Sequence, residues 1–327
     1  MSSEFDQYSS GDLAFTRESP YGTVIEAMYS GATSFMRRKY TRDLTEVDVA
    51  VVGIPYDLAT SNRPGARFGP RAVRAASAQL SWARPWPWTF DPFNRLHVID
   101  YGDCVFDPGR PEDVAVDIEK FMSRLVENNV IPLSIGGDHF VSYPVLKALH
   151  KKHGPISLIH FDAHTDSWAD EKGRIDHGTM FYHAAKEGIV SPSHSIQMGI
   201  RTQNMHTHGY NVFDALWLHK HGCDEAIEKI KEVVEDNPCY ITFDIDFLDP
   251  SCAPGTGTPV CGGFDTATAI KLLYGLTGLN IIGCDVVEVA PPYDHAEVTA
   301  LAAATLATNM LCLLAEDKED KIKPHQV

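Results

Sequence analysis

The chain has 327 residues, 44% hydrophobic and 10% aromatic, enough apolar side chain for a well-filled core. Its 28 basic and 44 acidic residues give a formal net charge of −16, which argues against nucleic acid as a partner and suits solubility or a cationic ligand. The N-terminus lacks the basic and apolar regions of a secretory signal, no apolar stretch reaches membrane-spanning length, and the seven cysteines form no C-x-x-C pair. The expectation is therefore a cytoplasmic protein with reduced thiols and no membrane partner.

Residues 1–45 are polar and irregular and read as an N-terminal arm. From 46 to 315 short β-branched runs alternate with amphipathic stretches, and 316–327 form a polar tail. The runs predict strands at 47–55, 95–102, 130–137, 156–162, 194–200, 239–246 and 279–289. Between them, 111–129 places Val114, Ile118, Phe121 and Leu125 on one helical face. The stretch 223–237 does the same with Ala226, Ile227, Ile230 and Val233 or Val234. Continuous apolar strands alternating with helices imply a single α/β domain whose parallel sheet is covered on both faces.

Ligands bind beyond the carboxyl ends of strands in such sheets. Four predicted strand ends carry polar residues there: Gly136-Gly137-Asp138-His139, Asp162-Ala163-His164-Thr165-Asp166, Asp244-Ile245-Asp246, and Glu288. In an extended chain Asp162, His164 and Asp166 would share one face, as would Asp244 and Asp246. Four carboxylates and two imidazoles, with His139 the second imidazole, exceed the needs of one ion. Mixed oxygen and nitrogen ligation suits Mn²⁺, Fe²⁺, Co²⁺ or Zn²⁺, and the absence of thiolates argues against structural zinc. Two ions sharing bridging carboxylates would neutralise the cluster and activate a water. His160, inside a strand, reads as a satisfied core histidine, and His206 and His208 as exposed loop residues.

The motifs SIGGDHF (134–140), HFDAHTDSW (160–168), HGTMF (177–181), TFDIDFLDPSCAPGTGTP (242–259) and DVVEVAPPYD (285–294) together resemble the ureohydrolase family of arginase and agmatinase. The resemblance runs from about 47 to 314, and DLATSNRPGARFGP, DHGTMFYHAAKEG and EVTALAAATLA look like its bacterial agmatinase branch. It implies a three-layer α/β/α sandwich around an eight-stranded parallel sheet, with two Mn²⁺ ions per chain. One ion would take His139, Asp162, Asp166 and Asp244, and the other Asp162, His164, Asp244 and Asp246, with Asp162 and Asp244 bridging. Glu288 would pair with the substrate guanidinium. His177 would shuttle protons and help the amine leave. The partners implied are a small cationic guanidino substrate and further copies of the chain, in a trimer or hexamer.

Arginase carries polar residues after the third aspartate of its motif that hold the α-amino-acid end of the substrate. Here Ser167-Trp168-Ala169-Asp170 stand there, which favours agmatine, giving putrescine and urea. Guanidinobutyrate or guanidinopropionate is the alternative, since Arg201 could receive an acid and the segment 201–211 has no clear place. A non-catalytic metal-binding relative is a further alternative. The stretch NRPGARFGP (62–70) resembles a loop of the assembly or the site mouth, or is a turn into a helix with Pro70 at its first position.

Overall fold

A computed structural model describes residues 28–81, 84–170 and 172–321. The expected arm at 1–27 and the end of the expected tail at 322–327 lie outside the described residues. The strands are β1 (Val49–Ile54), β2 (Val98–Asp103), β3 (Ile131–Gly136), β4 (Ser157–Phe161), β5 (Ile196–Ile200), β6 (Asn211–Asp214), β7 (Cys239–Asp244) and β8 (Ile281–Val287). They form one all-parallel sheet in the order β2-β1-β3-β8-β7-β4-β5-β6.

The helices are α1 (Gly69–Ser77), α2 (Pro92–Arg95), α3 (Val114–Glu127), α4 (Ser142–His153), α5 (Met180–Lys186), α6 (Ala215–Val234), α7 (Thr266–Gly275) and α8 (Val298–Ala315). Alternation along each strand divides the core in two. Val49 and Val51 of β1 join the side chains of α1, α6, α7 and α8, while Ala50, Val52 and Ile54 join those of α3, α4 and α5. Two apolar layers on opposite faces of one sheet make the three-layer α/β/α sandwich.

The seven strands read from periodicity are present, and an eighth, β6, was not read. Its four residues, NVFD, pair only with β5 at the sheet edge and are only partly buried, so they carry too little apolar signal to stand out. In α3, Val114, Ile118, Phe121 and Leu125 are all buried. Helix α6 begins eight residues before the expected 223, where Asp214 accepts a hydrogen bond from the Trp217 amide at 2.7 Å. The apolar period restarts after Gly222, whose backbone leaves helical space at φ 80° and ψ 177°. Pro70 lies in the first turn of α1, one residue later than expected.

Helix α8 corrects the expectation that no stretch is long enough to span a membrane. By length and composition it could, but it is packed against α1, α7 and β8 and is mostly buried. Ahead of β1, Phe35 and Met36 are buried, and their amides donate to Asp100 Oδ2 at 2.7 Å and Ser77 Oγ at 2.8 Å.

Candidate active site

Strands β3, β8, β7 and β4 are neighbours, so their carboxyl ends open onto one place. The chain leaving β3 passes the main chain of Tyr56 so closely that a Cβ at Gly137 would lie 1.7 Å from the Tyr56 carbonyl oxygen. Only glycine fits there. The Asp138 amide then donates to the Tyr56 carbonyl at 2.8 Å, and a short 3₁₀ turn, His139–Val141, sets His139 fully buried under the sheet end.

The aspartates are delivered by turns rather than by extended chain, which corrects the one-face argument. Strand β4 stops at Phe161, and Asp166 holds a left-handed backbone at φ 49°. Strand β7 stops at Asp244, and a 3₁₀ turn, Ile245–Phe247, carries Asp246, whose amide donates to Asp244 Oδ1 at 2.8 Å. The short polar side chains bond the backbone two residues on and so compete with strand geometry.

The six predicted donors nevertheless converge. His139 Nδ1 lies 3.1 Å from Asp162 Oδ2, 2.9 Å from Asp166 Oδ2 and 3.3 Å from Asp244 Oδ2. His164 Nδ1 lies 3.3 Å from Asp162 Oδ1 and 3.1 Å from Asp246 Oδ2. The two oxygens of Asp162 thus face two different imidazoles. Although three oxygens surround His139 Nδ1, none makes a hydrogen bond with it. The potential ligand atoms fall into two overlapping groups that share Asp162, one of His139, His160, Asp162 and Asp166 and one of Asp162, His164 and Asp246, each gathered within 4.8 Å and able to hold a cation. The chemistry of the set, buried oxygens with two imidazole nitrogens, fits a hard or intermediate divalent ion.

Supporting groups fix the donors. His139 Nε2 is 2.8 Å from Thr242 Oγ1, which donates to Asp285 Oδ1 at 2.6 Å. Asp285 Oδ2 also receives Ser142 Oγ at 2.6 Å and Tyr240 Oη at 2.7 Å. With its hydroxyl proton committed to Asp285, Thr242 accepts from His139 Nε2, and the lone pair is left on Nδ1. His160 is fully buried, with Nε2 2.7 Å from Asp162 Oδ2 and Nδ1 3.1 Å from Gln197 Nε2. Both its nitrogens have partners, so it orients Asp162 from behind.

Without a cation the cluster is electrostatically divided. Burial, then the charges of Asp246 and Asp162, hold the Asp244 carboxyl well above the usual range. Asp166 is raised by burial and by Asp162, and Asp246 is raised chiefly by burial. Asp162 is the exception: burial would raise it, but the imidazoles of His160, His139 and His164 hold it well below. Burial would lower His164, yet Asp246 and Asp162 push it up to about 12.

Glu288 and His177 stand beside the cluster. Glu288 is buried with a left-handed backbone at φ 63°. Its Oε1 accepts the His139 amide at 2.9 Å and lies 2.9 Å from His177 Nδ1. Its Oε2 is buried and has no partner. Burial would lower the pKa of His177, but the hydrogen bond and charge of Glu288 raise it to about 9. Among the described residues, an imidazole, an unpartnered carboxylate oxygen and a convergent donor cluster thus meet at one set of strand ends.

Residues 47–312 match the family model for the arginase family. The chain belongs to the arginase family. It is 52% identical to an agmatinase of Chromobacterium violaceum, over 96% of this chain and 98% of that one. A solved structure of a hypothetical agmatinase from Burkholderia thailandensis superposes with a TM-score of 0.90 at 53% identity, covering 94% of this chain and 98% of that one. Proclavaminate amidino hydrolase from Streptomyces clavuligerus superposes with a TM-score of 0.83 at 34% identity, covering 89% of this chain and 99% of that one.

Within this arginase-family fold, the residues weighed for substrate choice have distinct fates. Trp168 is half-buried, tilted against the His164 ring, and Gly178 leaves room for its indole. Asp170 is less open than its sequence position implied: it accepts the Lys172 amide at 2.7 Å and pairs with Arg174 at 3.2 Å. Arg201 donates to the carbonyls of Gly199, Phe247, Asp246 and Val260. It ties loops together. His206 is exposed, whereas His208 is half-buried against Tyr182.

Sequence reasoning missed the part played by the segment 57–65. The Ala59 amide donates to Asp138 Oδ2 at 2.8 Å, Ser61 reaches His177, and Asn62 Nδ2 donates to the Gly257 carbonyl at 3.1 Å. Thr60 Oγ1 and Asp138 Oδ1 are buried without partners; Gly257 lies against both Thr60 Oγ1 and Glu288 Oε2, and the Glu288 charge acts on Asp138. The sequence signals were the family-like stretch DLATSNRPGARFGP and, within it, 62–70 as a loop of the assembly or the site mouth; neither gave a role to Ala59, Ser61 or Asn62.

Proposed function

We propose that this protein is an agmatinase, hydrolysing the guanidinium of agmatine to urea and putrescine with two Mn²⁺ ions per chain. The observation that carries the reading is a pair of unpartnered buried atoms: His139 Nδ1, ringed by carboxylates, and Glu288 Oε2, on the residue that holds the His139 amide. The first asks for a cation among the aspartates, and the second for a cationic donor next to it. A planar guanidinium supplies paired N–H donors for such a carboxylate.

One ion would be held by His139, Asp162, Asp166 and Asp244, and the other by Asp162, His164, Asp244 and Asp246. Bound there, the ions supply a water acidic enough to act as nucleophile at neutral pH. Glu288 would bind and orient the guanidinium through its unpartnered Oε2. Thr242, Asp285 and His160 keep the donors in register. His177 carries the proton that the amine needs as it leaves. Trp168 offers an aromatic wall to the aliphatic stem or the terminal ammonium of agmatine.

The engagement of both terminal nitrogens of Arg201 with four main-chain carbonyls weakens the guanidino-acid alternative, since only its buried Nε is left without a partner. A non-catalytic relative is disfavoured by a full set of donors together with Glu288 and His177. The cysteines of the described residues are free, and four of them are buried, in keeping with a reducing cytoplasm. The exposed Leu58 and Val105, which line a shallow groove with Phe106, give a homo-oligomer, trimer or hexamer, an apolar surface to cover. Urea release from agmatine after Mn²⁺ reconstitution, with metal analysis approaching two ions per chain, tests the proposal. Activity that survives exhaustive chelation contradicts it.

A further inference from the structure

The segment 57–65 links β1 to the first turns before α1 and lies over His177. Beyond the Ala59 and Asn62 anchors, the His177 amide donates to the Ala59 carbonyl at 3.4 Å, so segment and histidine are tied by main chain as well. At its centre, the Ser61 amide donates to His177 Nε2 at 2.9 Å, and Ser61 Oγ lies 2.8 Å from the same nitrogen. The other ring nitrogen, Nδ1, faces Glu288 Oε1 at 2.9 Å.

A main-chain amide can only donate, and an ionised carboxylate can only accept. These two neighbours therefore impose opposite roles on the two ring nitrogens. Nδ1 carries the proton that Glu288 accepts, and Nε2 presents a lone pair to Ser61. Glu288 alone would favour the imidazolium, but an N–H on Nε2 would point at an amide N–H it cannot bond. The raised value of about 9 reflects, against burial, Glu288 and the neighbouring carboxylates; the Ser61 amide, which leaves no place for a proton on Nε2, opposes them, and in this position of the segment the ring rests neutral.

The hydroxyl has a different use. Ser61 is exposed whereas His177 is buried, so Oγ stands on the boundary between the ring and solvent. A hydroxyl both donates and accepts. When Nε2 takes up a proton, Oγ is the adjacent atom able to turn and accept it.

We propose that Ser61 is a positioning residue for His177: its amide fixes the Nδ1–H tautomer, and its hydroxyl accepts the Nε2 proton as it releases its own to solvent water. This deepens the reading above, since it rests on His177 as the proton carrier of guanidinium hydrolysis. Net proton balance is unaltered; a proton reaching Nε2 is passed on either to the departing amine or, through Oγ, to water.

Two experiments test it, one independent of substrate. In protein labelled with ¹⁵N-histidine and loaded with a diamagnetic divalent ion such as Mg²⁺, the His177 resonances, assigned against His177→Asn, should show a protonated Nδ1 and a bare Nε2 at pH 7. An Nε2–H tautomer or an imidazolium overturns the proposal, whatever the substrate proves to be. In the Mn²⁺ enzyme, Ser61→Ala should lower kcat about three- to tenfold, the worth of one hydrogen bond, with KM and metal content unchanged. Ser61→Thr should restore most of the loss, and added imidazole buffer should raise the turnover of Ser61→Ala but not of wild type. A raised KM with unchanged kcat, or Ser61→Thr no better than Ser61→Ala, shows that Ser61 is only a wall of the pocket. Failure of wild type to release urea from agmatine would instead sink the agmatinase reading, leaving the tautomer result standing by itself.

Discussion

Replacing Glu288 with glutamine removes one charge while leaving the shape of the site. In the folded chain Oε1 serves two groups, the His139 amide and His177 Nδ1, each at 2.9 Å. A glutamine carbonyl oxygen in the same place can accept both. The amide nitrogen then occupies the position of the unpartnered Oε2. It presents N–H donors where the substrate guanidinium also presents N–H donors. Losing one partner of a buried, hydrogen-bonded charge pair costs about 2–5 kcal/mol, or roughly 30- to 4,000-fold in kcat/KM. Urea release from agmatine at saturating Mn²⁺ gives the ratio, and metal analysis with a melting curve shows whether the site is intact. The reasoning predicts a large loss of kcat/KM with both ions retained and little change in Tm. Loss of an ion, or a kcat/KM within about threefold of wild type, would refute it.

Asp162→Ala and Asp244→Ala each remove a carboxylate proposed to bridge the two ions and should lower turnover by more than about 10²-fold, with metal analysis showing fewer than two ions. Mn²⁺ at about 100 times its Kd should stabilise the fold by about 2.7 kcal/mol for each site, read as a rise in Tm over chelated protein. That rise should widen with pH. Asp166, Asp244 and Asp246 are held above their ordinary pKa, so the metal-free protein loses their contribution as pH climbs from about 4 through the folded values. His164, also raised, acts in the same sense above about pH 6.5, whereas Asp162, held low, acts oppositely and only in acid. A Tm of chelated protein that rises between pH 5 and 8 would contradict this balance.

Much of this site was legible because its chemistry is carried by short motifs at strand exits. The runs 130–137, 156–162, 239–246 and 279–289 read as strands, and the sheet order makes those four neighbours. Periodicity says where a strand ends but nothing about order, so convergence of His139 with Asp244 and Glu288 could be expected only from the shared polarity of the ends. The geometry of convergence was not legible. Asp162 to Asp166 do not alternate along a strand; a left-handed turn at Asp166 brings them round. Strand β6 escaped because an edge strand of four residues leaves little apolar pattern. The segment 57–65 escaped for another reason: its contacts with Asp138 and His177 are made largely by main-chain amides, which every residue type provides. Arg201 and Asp170 show the opposite limit, since a charge in a sequence does not reveal that carbonyls or a neighbouring arginine already hold it.

Substrate choice tests the account most directly. Agmatine, arginine and 4-guanidinobutyrate share the guanidinium, so Glu288 and the ions cannot tell them apart. A carboxylate at the far end would meet Trp168 and an Arg201 whose two terminal nitrogens already hold main-chain carbonyls. Leaving it unpaired costs about 1–3 kcal/mol, roughly five- to 150-fold in kcat/KM. The measurement is kcat/KM for the three compounds by urea release at saturating Mn²⁺. The account predicts agmatine ahead of both acids by at least about tenfold. Equal values for agmatine and arginine, or a higher value for 4-guanidinobutyrate, would contradict it.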